Sequence, residues 1–227
     1  MTDVRKALEA EREMEREFAA EAGRSETAPK GWPAALVLFH VSMWRERLRN
    51  ALTDVREERA YTPPPENQDE VNDAELAGGL GVSLTDIAER SDVLLVALIK
   101  LWEEVGERPF KWYANNTTTE ALLRNSYVHP RNHIVDYLEQ NGDPAGAHRL
   151  LEDAASELRA FGAPPMALGA ALYSLACARV AQDRVDEALE LLIEAFMLRP
   201  DLKQSAPKDM DLEALHDNPG FKALAQS

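Results

Sequence analysis

Apolar side chains recur every three to four residues along four long stretches of the first 140 residues, roughly 2–22, 33–58, 83–105 and 117–140. That spacing places them on one face of an α-helix. Only 11 of the 227 residues are glycine, and the alternating β-branched runs that indicate strands are almost absent. Four such helices can bury their apolar faces only against one another. The sequence therefore predicts an all-α protein whose residues 1–140 form a four-helix bundle.

Local signals mark where these helices begin and end. Ser83-Leu-Thr-Asp86 and Thr117-Thr-Thr-Glu120 are capping boxes, in which the hydroxyl and the carboxylate satisfy free amides of a first helical turn. The proline-rich stretch over residues 61–68 predicts a linker, followed by a short helical turn over 69–77. Asn141-Gly142 predicts the end of the fourth helix.

Residues 143–227 have a different organisation. Shorter helical stretches over about 144–161, 166–182 and 185–198 are separated by Ala163-Pro-Pro165 and Gln182-Asp183. We therefore expect a second helical domain over residues 143–227.

The charge balance excludes some partners. Forty acidic and 25 basic side chains give a formal charge of −15, which repels phosphate backbones and anionic lipid. We therefore expect neither nucleic acid nor a membrane as a partner. The N-terminal stretch is too charged for a signal peptide, and no apolar run approaches the ~18 residues of a membrane span. A cytoplasmic location is the expectation.

The number of cysteines limits the kinds of disulfide and metal site that the chain can form. Cys177 is the chain's one cysteine, which excludes an intramolecular disulfide and a cysteine-cluster metal site. Its alanine neighbours favour a packing role over that of a nucleophile. Any metal site must therefore rely on other ligands.

Three of the five histidines form a candidate site. His129 and His133 are four residues apart, which on a helix places both imidazoles on one face with Cβ atoms about 5–6 Å apart. His40 lies in the apolar stripe of the second helix. Three imidazoles suit Zn, Ni, Fe or Cu, and leave a fourth position open in a catalytic zinc site. The alternative is a set of hydrogen-bonded core histidines. His148 and His216 are expected at the surface.

Pro130 follows His129 directly and complicates this geometry. A proline removes one helical hydrogen bond and disfavours helical angles in the residue before it. Two outcomes are open: a kink over Ser126–Pro130, or a new helix that starts at Pro130 and leaves His129 outside it. In the second case the imidazoles need not converge.

Three segments of residues 1–140 resemble the DinB-like superfamily, in particular its DfsB/ClbS-type branch. They are GWPAALVLFHVSMWRERLRNAL, DEVNDAELA and NTTTEALLRNSYVHPRNHIVDYL, the last carrying Tyr127, His129 and His133 as Tyr-x-His-x-x-x-His. The resemblance implies a four-helix bundle in which His40, His129 and His133 bind a divalent ion, commonly nickel or zinc. It also implies that Asn72 faces the bundle cavity. Some members of this superfamily bind no metal.

Two further residues have competing interpretations. Asp136 lies one turn beyond His133 and can orient an imidazole as an acceptor, or can simply be a solvated helix carboxylate. Asn72 can equally be a turn or cap residue. No residue is nominated as a separate catalytic acid or base.

The end of the chain resembles a tetratricopeptide repeat (TPR). The match lies in LYSLACARVAQDRVDEALELLIEAFMLRP, where Pro200 closes the repeat, and the usual small and apolar positions fall on Leu172, Leu175, Ala176, Ala188, Leu192 and Ala195. The following residues, DLKQSAPKDMDLEALHDNPGFKAL, resemble the tail that packs as a cap after a terminal unit. We therefore expect a TPR-like helical hairpin with a cap.

These resemblances imply three functions. The first is a metal-dependent hydrolase or thiol transferase that acts on a small electrophilic compound, with a low-molecular-weight thiol as a co-substrate. The second is an interaction protein that uses the TPR-like segment, and its acidic surface favours a basic partner. The third is a binding protein that sequesters a toxic small molecule. A homodimer is compatible with each.

Overall fold

The computed structural model of the chain describes residues 2–25 and 27–226. The chain is 76% helical, which confirms the prediction of a mostly helical protein. The α-helices and β-strands of the described residues are α1 (Val4–Arg24), α2 (Ala34–Arg56), α3 (Gln68–Glu75), α4 (Leu84–Val105), β1 (Pro109–Trp112), β2 (Asn115–Thr117), α5 (Thr118–Leu123), α6 (His129–Gln140), α7 (Pro144–Ala160), α8 (Pro165–Ala181), α9 (Val185–Leu198), α10 (Leu202–Ser205) and α11 (Pro219–Gln226). Short 3₁₀ helices cover Leu76–Gly79, Ala206–Lys208 and Met210–Leu215.

The chain divides into two compact units, one ending at Ala147 and the other beginning at His148. The division falls within the first turns of α7. Each unit has a hydrophobic cluster of its own.

In the first unit, the long helices bury their apolar stripes against one another. Helix α2 contacts α4 and α6, and α1 contacts α4 and α5. Buried residues from α1, α2, α4 and α5 meet in one cluster, which includes Val4, Leu8, Leu48, Leu52, Leu95, Leu98 and Leu122. These contacts place the first half of α2 beside the start of α6, where the candidate histidines lie.

Both predicted capping boxes start helices. The Ser83 hydroxyl accepts a hydrogen bond from the Asp86 amide at the start of α4, with a nitrogen–oxygen distance of 3.3 Å. The Thr117 hydroxyl accepts one from the Glu120 amide at the start of α5. The hydroxyl half of each predicted capping box is therefore confirmed, because a hydroxyl in an extended residue satisfies a free amide of the first turn. The Glu120 carboxylate accepts instead from the Asn116 amide, one residue before the predicted cap.

A small β-hairpin corrects the prediction of a purely α-helical chain. Strand β1 pairs antiparallel with β2 between α4 and α5. Phe110 and Trp112 point into the core on alternate positions, and their neighbours Pro109 and Lys111 are exposed. Only Phe110 and Trp112 alternate with exposed residues in β1, and so short an alternating pattern does not predict a strand in a sequence with mostly helical spacing.

In the second unit, α8 and α9 form a helical hairpin. All six of the small and apolar positions predicted for it are buried: Leu172, Leu175, Ala176, Ala188, Leu192 and Ala195. The C-terminal segment packs on the same core through Leu212, Leu215 and Phe221. Cys177 packs against this core too, and burial raises the pKa of its thiol, which favours the packing role predicted for it.

None of the helices in the described ranges is both long enough and apolar enough to cross a lipid bilayer.

Candidate metal centre

Three histidine side chains converge between α2 and α6. The Nε2 atom of His129 lies 3.1 Å from Nε2 of His40 and 3.0 Å from Nε2 of His133. One candidate ligand atom from each ring lies within 4.8 Å of the others. His40 is buried, and the other two rings are half-buried. The structure thus brings together the i, i+4 pair His129 and His133 and the third candidate, His40, from the apolar stripe of α2.

The helix reaches this geometry through a π-turn that precedes the proline. Residues Arg124–Val128 form one turn of π-helix, and the His129 amide donates to the Arg124 carbonyl, five residues back. His129 then has helical angles (φ −60°, ψ −48°) and opens α6 with Pro130 at its second position. Of the two predicted outcomes, a new helix without His129 is wrong. The irregularity lies in the turn before His129, so the i, i+4 pair converges.

Pro130 also leaves a carbonyl without its helical donor, and a buried arginine satisfies it. In a regular helix the amide of residue 130 would bond the carbonyl of Ser126, but proline has no N–H. Arg45 donates from Nη2 to that Ser126 carbonyl at 3.1 Å. The guanidinium of Arg45, on α2, thereby replaces the missing backbone donor of α6.

Arg45 belongs to a buried network of charges that joins three of the long helices. Its Nη1 atom donates to Glu15 at 3.0 Å and to Ser91 at 2.7 Å, and the Ser91 hydroxyl donates to the same Glu15 oxygen. Arg131, between the two histidines of α6, donates from Nε to Glu11 at 2.8 Å. Burial raises the pKa of Glu11 to about 8, against the opposing effect of Arg131. These pairs fix α2 and α6 relative to α1.

The environment keeps the three imidazoles neutral. Burial, with a smaller contribution from His133, lowers the pKa of His40 to about 3. Burial and the positive charge of Arg124 lower the pKa of His133 to about 4. The pKa of His129 lies well below its usual range for the same principal reason, burial. Each ring therefore offers a lone pair near pH 7, which is the state that binds a metal ion.

The donor set fits a divalent ion of the zinc or nickel type. Nitrogen ligands at 2.0–2.1 Å from a tetrahedral ion lie about 3.3 Å apart, close to the two Nε2 separations. Nδ1 of His40 is buried without a hydrogen-bond partner among the described residues. Metal-ligating histidines usually donate from their second nitrogen. His40 has no such acceptor among the described residues, and its ring is oriented instead by packing against Trp32 and Trp44.

Two tryptophans border the three histidines. Trp32, just before α2, stacks on His133 with ring centroids 5.9 Å apart and an interplanar angle of 15°, and also contacts His40. Trp44 lies one turn beyond His40, and its indole N–H donates to the side-chain oxygen Oδ1 of Asn72 at 3.1 Å. Asn72 therefore reaches the site through Trp44, from α3.

A cavity opens beside His133. It has a volume of about 380 Å³ and is lined by Gly31, Trp32, Val37, His133, Asp136, Tyr137 and Gln140. We refer to it as the His133 cavity. Asp136 is exposed at its wall, so the residue predicted as an imidazole acceptor faces the space next to the site. Its predicted role as an acceptor stays a prediction.

Tyr127 lies in the π-turn and is fully buried, with the Arg131 guanidinium 4.0 Å from its ring centre. Its place is therefore in the supporting network of α6. His148 and His216, predicted at the surface, are half-buried in the second unit. His148 contacts Gln182, and His216 stacks on Phe221.

Sequence reasoning missed Trp32, Arg45 and Arg131. Trp32 lies outside the helical pattern, and its one local signal is its place eight residues before His40. Arg45 and Arg131 lie in charged stretches that are usually solvated. Pro130 gave a signal for Arg45, because a proline leaves the carbonyl four residues before it, that of Ser126, in need of another donor.

Comparison with known proteins adds no family to these observations. Neither a scan of protein-family models nor searches of curated proteins and of solved structures returned a match to this chain. The resemblance to the DinB-like superfamily therefore stays a prediction, and the chain is described by its content: a mostly helical protein with a buried group of three histidines that can bind a metal ion.

Proposed function

We propose that this protein is a metal-dependent enzyme of the DinB-like type, a four-helix bundle in which His40, His129 and His133 hold a zinc or nickel ion. One observation carries the proposal: three neutral imidazoles from two helices converge within reach of a single ion. The neighbouring His133 cavity supports it, because a small molecule has access to the site.

A divalent ion held by three imidazoles supplies a Lewis acid that makes a water molecule or a small thiol nucleophilic near neutral pH. The residues of the chain do the rest. Burial of His40 excludes bulk water from one side of the site, and Trp32 covers His133 on the other. The His133 cavity holds the second reactant. The reaction class that this arrangement favours is hydrolysis or thiol transfer on a small electrophilic compound.

Metal content tests the proposal. The full-length chain, produced with zinc and nickel supplied, is expected to contain about one ion per chain by elemental analysis. A variant with His40→Ala, His129→Ala and His133→Ala is expected to contain less than about a tenth of an ion. Circular dichroism checks that this variant keeps its helical content.

The two remaining histidines provide a matched control. His148→Ala and His216→Ala remove imidazoles of the second unit, and both variants should keep the ion. Wild-type protein without a stoichiometric ion, or a triple variant that keeps one, would contradict the proposal.

The alternative function is protein interaction through the α8–α9 hairpin as a TPR-like module. Its supporting observation is that Ile193 and Met197, one turn apart on α9, are 44% and 78% exposed. In this alternative the triple histidine variant keeps its binding to a basic peptide partner, whereas Met197→Glu with Ile193→Glu loses it. A metal-dependent turnover abolished by the triple variant favours the enzyme.

A further inference from the structure

Asn125 is a buried, uncharged residue of the π-turn that precedes α6, and both polar atoms of its side-chain amide make hydrogen bonds. Its Nδ2 atom donates to the backbone carbonyl of Trp44 on α2 at 3.2 Å. Its Oδ1 atom accepts from the Ser126 hydroxyl at 2.9 Å. Because a hydroxyl donates to the amide oxygen, the amide nitrogen is the atom that faces α2.

The contact between Asn125 and Trp44 is the neighbour of the contact between two of the histidines. Asn125 comes four residues before His129, and Trp44 comes four residues after His40. Residues four apart in a helical segment lie about one turn apart on the same side. The two segments therefore run antiparallel here, and the Asn125 contact lies one turn from the place where the His129 and His40 Nε2 atoms are 3.1 Å apart.

A second hydrogen bond makes the connection between the two segments reciprocal. The Arg45 guanidinium of α2 donates to the backbone carbonyl of Ser126, and the Asn125 amide donates to the backbone carbonyl of Trp44. Each segment thus places one side chain on the backbone of the other, at two consecutive residues. Two bonds at different points resist sliding and rotation of one segment against the other, which a single bond does not.

The two bonds differ in what they supply. Arg45 replaces the donor that Pro130 removes from the Ser126 carbonyl. Trp44 lies in the interior of α2, where its carbonyl already accepts a helical hydrogen bond. The Asn125 bond is therefore not required to satisfy that carbonyl, and what it adds is a connection between α2 and the π-turn.

We infer that Asn125 is a positioning residue of the metal centre, an inference that rests on the proposed function. Through the Trp44 carbonyl it sets the place of His129 relative to His40, and so the geometry in which the three imidazoles hold an ion. Ligands must be held within about 0.5 Å of the productive geometry, and the loss of a supporting hydrogen bond around a metal site typically costs about ten- to a hundredfold in affinity.

Titration of the full-length chain with cobalt(II) tests the inference. Cobalt(II) occupies zinc sites, and its visible absorption is intense in a tetrahedral site and weak in an octahedral one. We expect Asn125→Ala to bind cobalt at least about tenfold more weakly than the wild type. The absorption per bound ion should also fall, because water takes the place of a displaced imidazole. A residue that only stabilised the fold would leave the spectrum of the bound ion unchanged.

Asn115 provides the matched control. It is buried in the same unit, and its Nδ2 atom likewise donates to a tryptophan carbonyl, that of Trp112 in the hairpin, at 3.0 Å. Asn115→Ala should lower stability to urea about as much as Asn125→Ala does, and should leave the cobalt affinity and spectrum unchanged. Ser126→Ala removes the hydroxyl that orients Asn125, and should cause a smaller loss of affinity with a spectral change of the same kind.

An Asn125→Ala variant with wild-type cobalt affinity and spectrum would overturn the inference and leave the proposed function intact. Should that variant not fold, an unchanged affinity and spectrum in Ser126→Ala overturns it in the same way. A change in Asn115→Ala as large as that in Asn125→Ala would also overturn it, since the effect would then belong to the fold in general. Wild-type protein that takes up no cobalt contradicts the proposed function and this inference together.

Discussion

Arg45 is the residue on which the arrangement of α2 and α6 depends most. Its side chain has no exposed surface, and it donates to a carboxylate, a hydroxyl and a backbone carbonyl on three different elements. Its removal leaves Glu15 buried without its principal counter-charge, and also leaves the Ser126 carbonyl without a donor.

We predict that Arg45→Met lowers the free energy of unfolding by about 3–5 kcal/mol, the usual cost of breaking a buried ion pair from one side. Urea denaturation of the metal-free chain measures it. Arg90, in an exposed pair with Glu46, is the control, and Arg90→Met should cost about 1 kcal/mol or less. Equal effects of the two substitutions would show that the buried network contributes no more than a surface pair.

Asp92 gives a prediction about pH. Arg12 binds its carboxylate through two hydrogen bonds of 2.8 and 2.9 Å, and these bonds hold the pKa of Asp92 below its ordinary value of 3.8. A lowered folded-state pKa stabilises the protein above the unfolded value, and this contribution is lost as the pH falls through the folded-state pKa. We predict that Asp92→Asn costs about 1 kcal/mol at pH 7.

The same substitution should cost progressively less below about pH 4, because the wild-type carboxyl then becomes protonated as well. Urea denaturation of both proteins over this pH range tests the sign. A difference that stays constant, or grows, as the pH falls would contradict a lowered pKa for Asp92.

Individual residues were predictable from the sequence where local spacing determines their position. His129 and His133 follow from a four-residue spacing, and His40 from its place in an apolar stripe. Trp32 was not predictable, because its position depends on hydrogen bonds between Lys30 and Asn141, 111 residues apart. No local pattern encodes that contact.

At the scale of elements, the π-turn before α6 decides how the histidines face α2. A π-turn takes one residue more than a regular turn, and one residue corresponds to about 100° of rotation about the helix axis. Pro130 favours the irregularity because a regular helix would lose the bond to the Ser126 carbonyl.

We predict that Pro130→Ala lowers zinc affinity by about tenfold or more, because the new amide competes with Arg45 for the Ser126 carbonyl and favours a regular helix. Competition with a chromophoric chelator measures the affinity. Pro165→Ala, at the first residue of α8, is the control and should leave it unchanged. An unchanged affinity in Pro130→Ala would mean that packing alone holds the π-turn.

Helices of this chain were predictable as elements, and their irregular parts were not. Capping boxes place the starts of α4 and α5 because a cap is a local interaction. The π-turn and the β1–β2 hairpin depend on tertiary packing: Arg45 reaches Ser126 from another helix, and Phe110 and Trp112 are buried by the core of the first unit.

At the scale of the whole molecule, metal binding and folding are linked. A ligand that binds the folded chain and not the unfolded one stabilises it by about 2.7 kcal/mol at a hundredfold excess over Kd. We predict a stabilisation of that size on addition of zinc or nickel. Thermal denaturation with and without chelator measures it, and the triple histidine variant should show no shift. An equal shift in that variant would indicate binding elsewhere.

The net charge of −15 makes the protein attract cations in general, and not only at the three histidines. Exposed carboxylates can therefore hold divalent ions weakly, and the number of ions per chain does not show where the ion binds. The position of the ion must be measured directly.

The most direct test is therefore an anomalous difference map from crystals of the full-length chain grown with nickel or zinc and collected at the absorption edge of that metal. We expect one strong peak about 2.0–2.1 Å from ring nitrogens of His40, His129 and His133. No peak between these rings, or a stronger peak at exposed carboxylates, would contradict it.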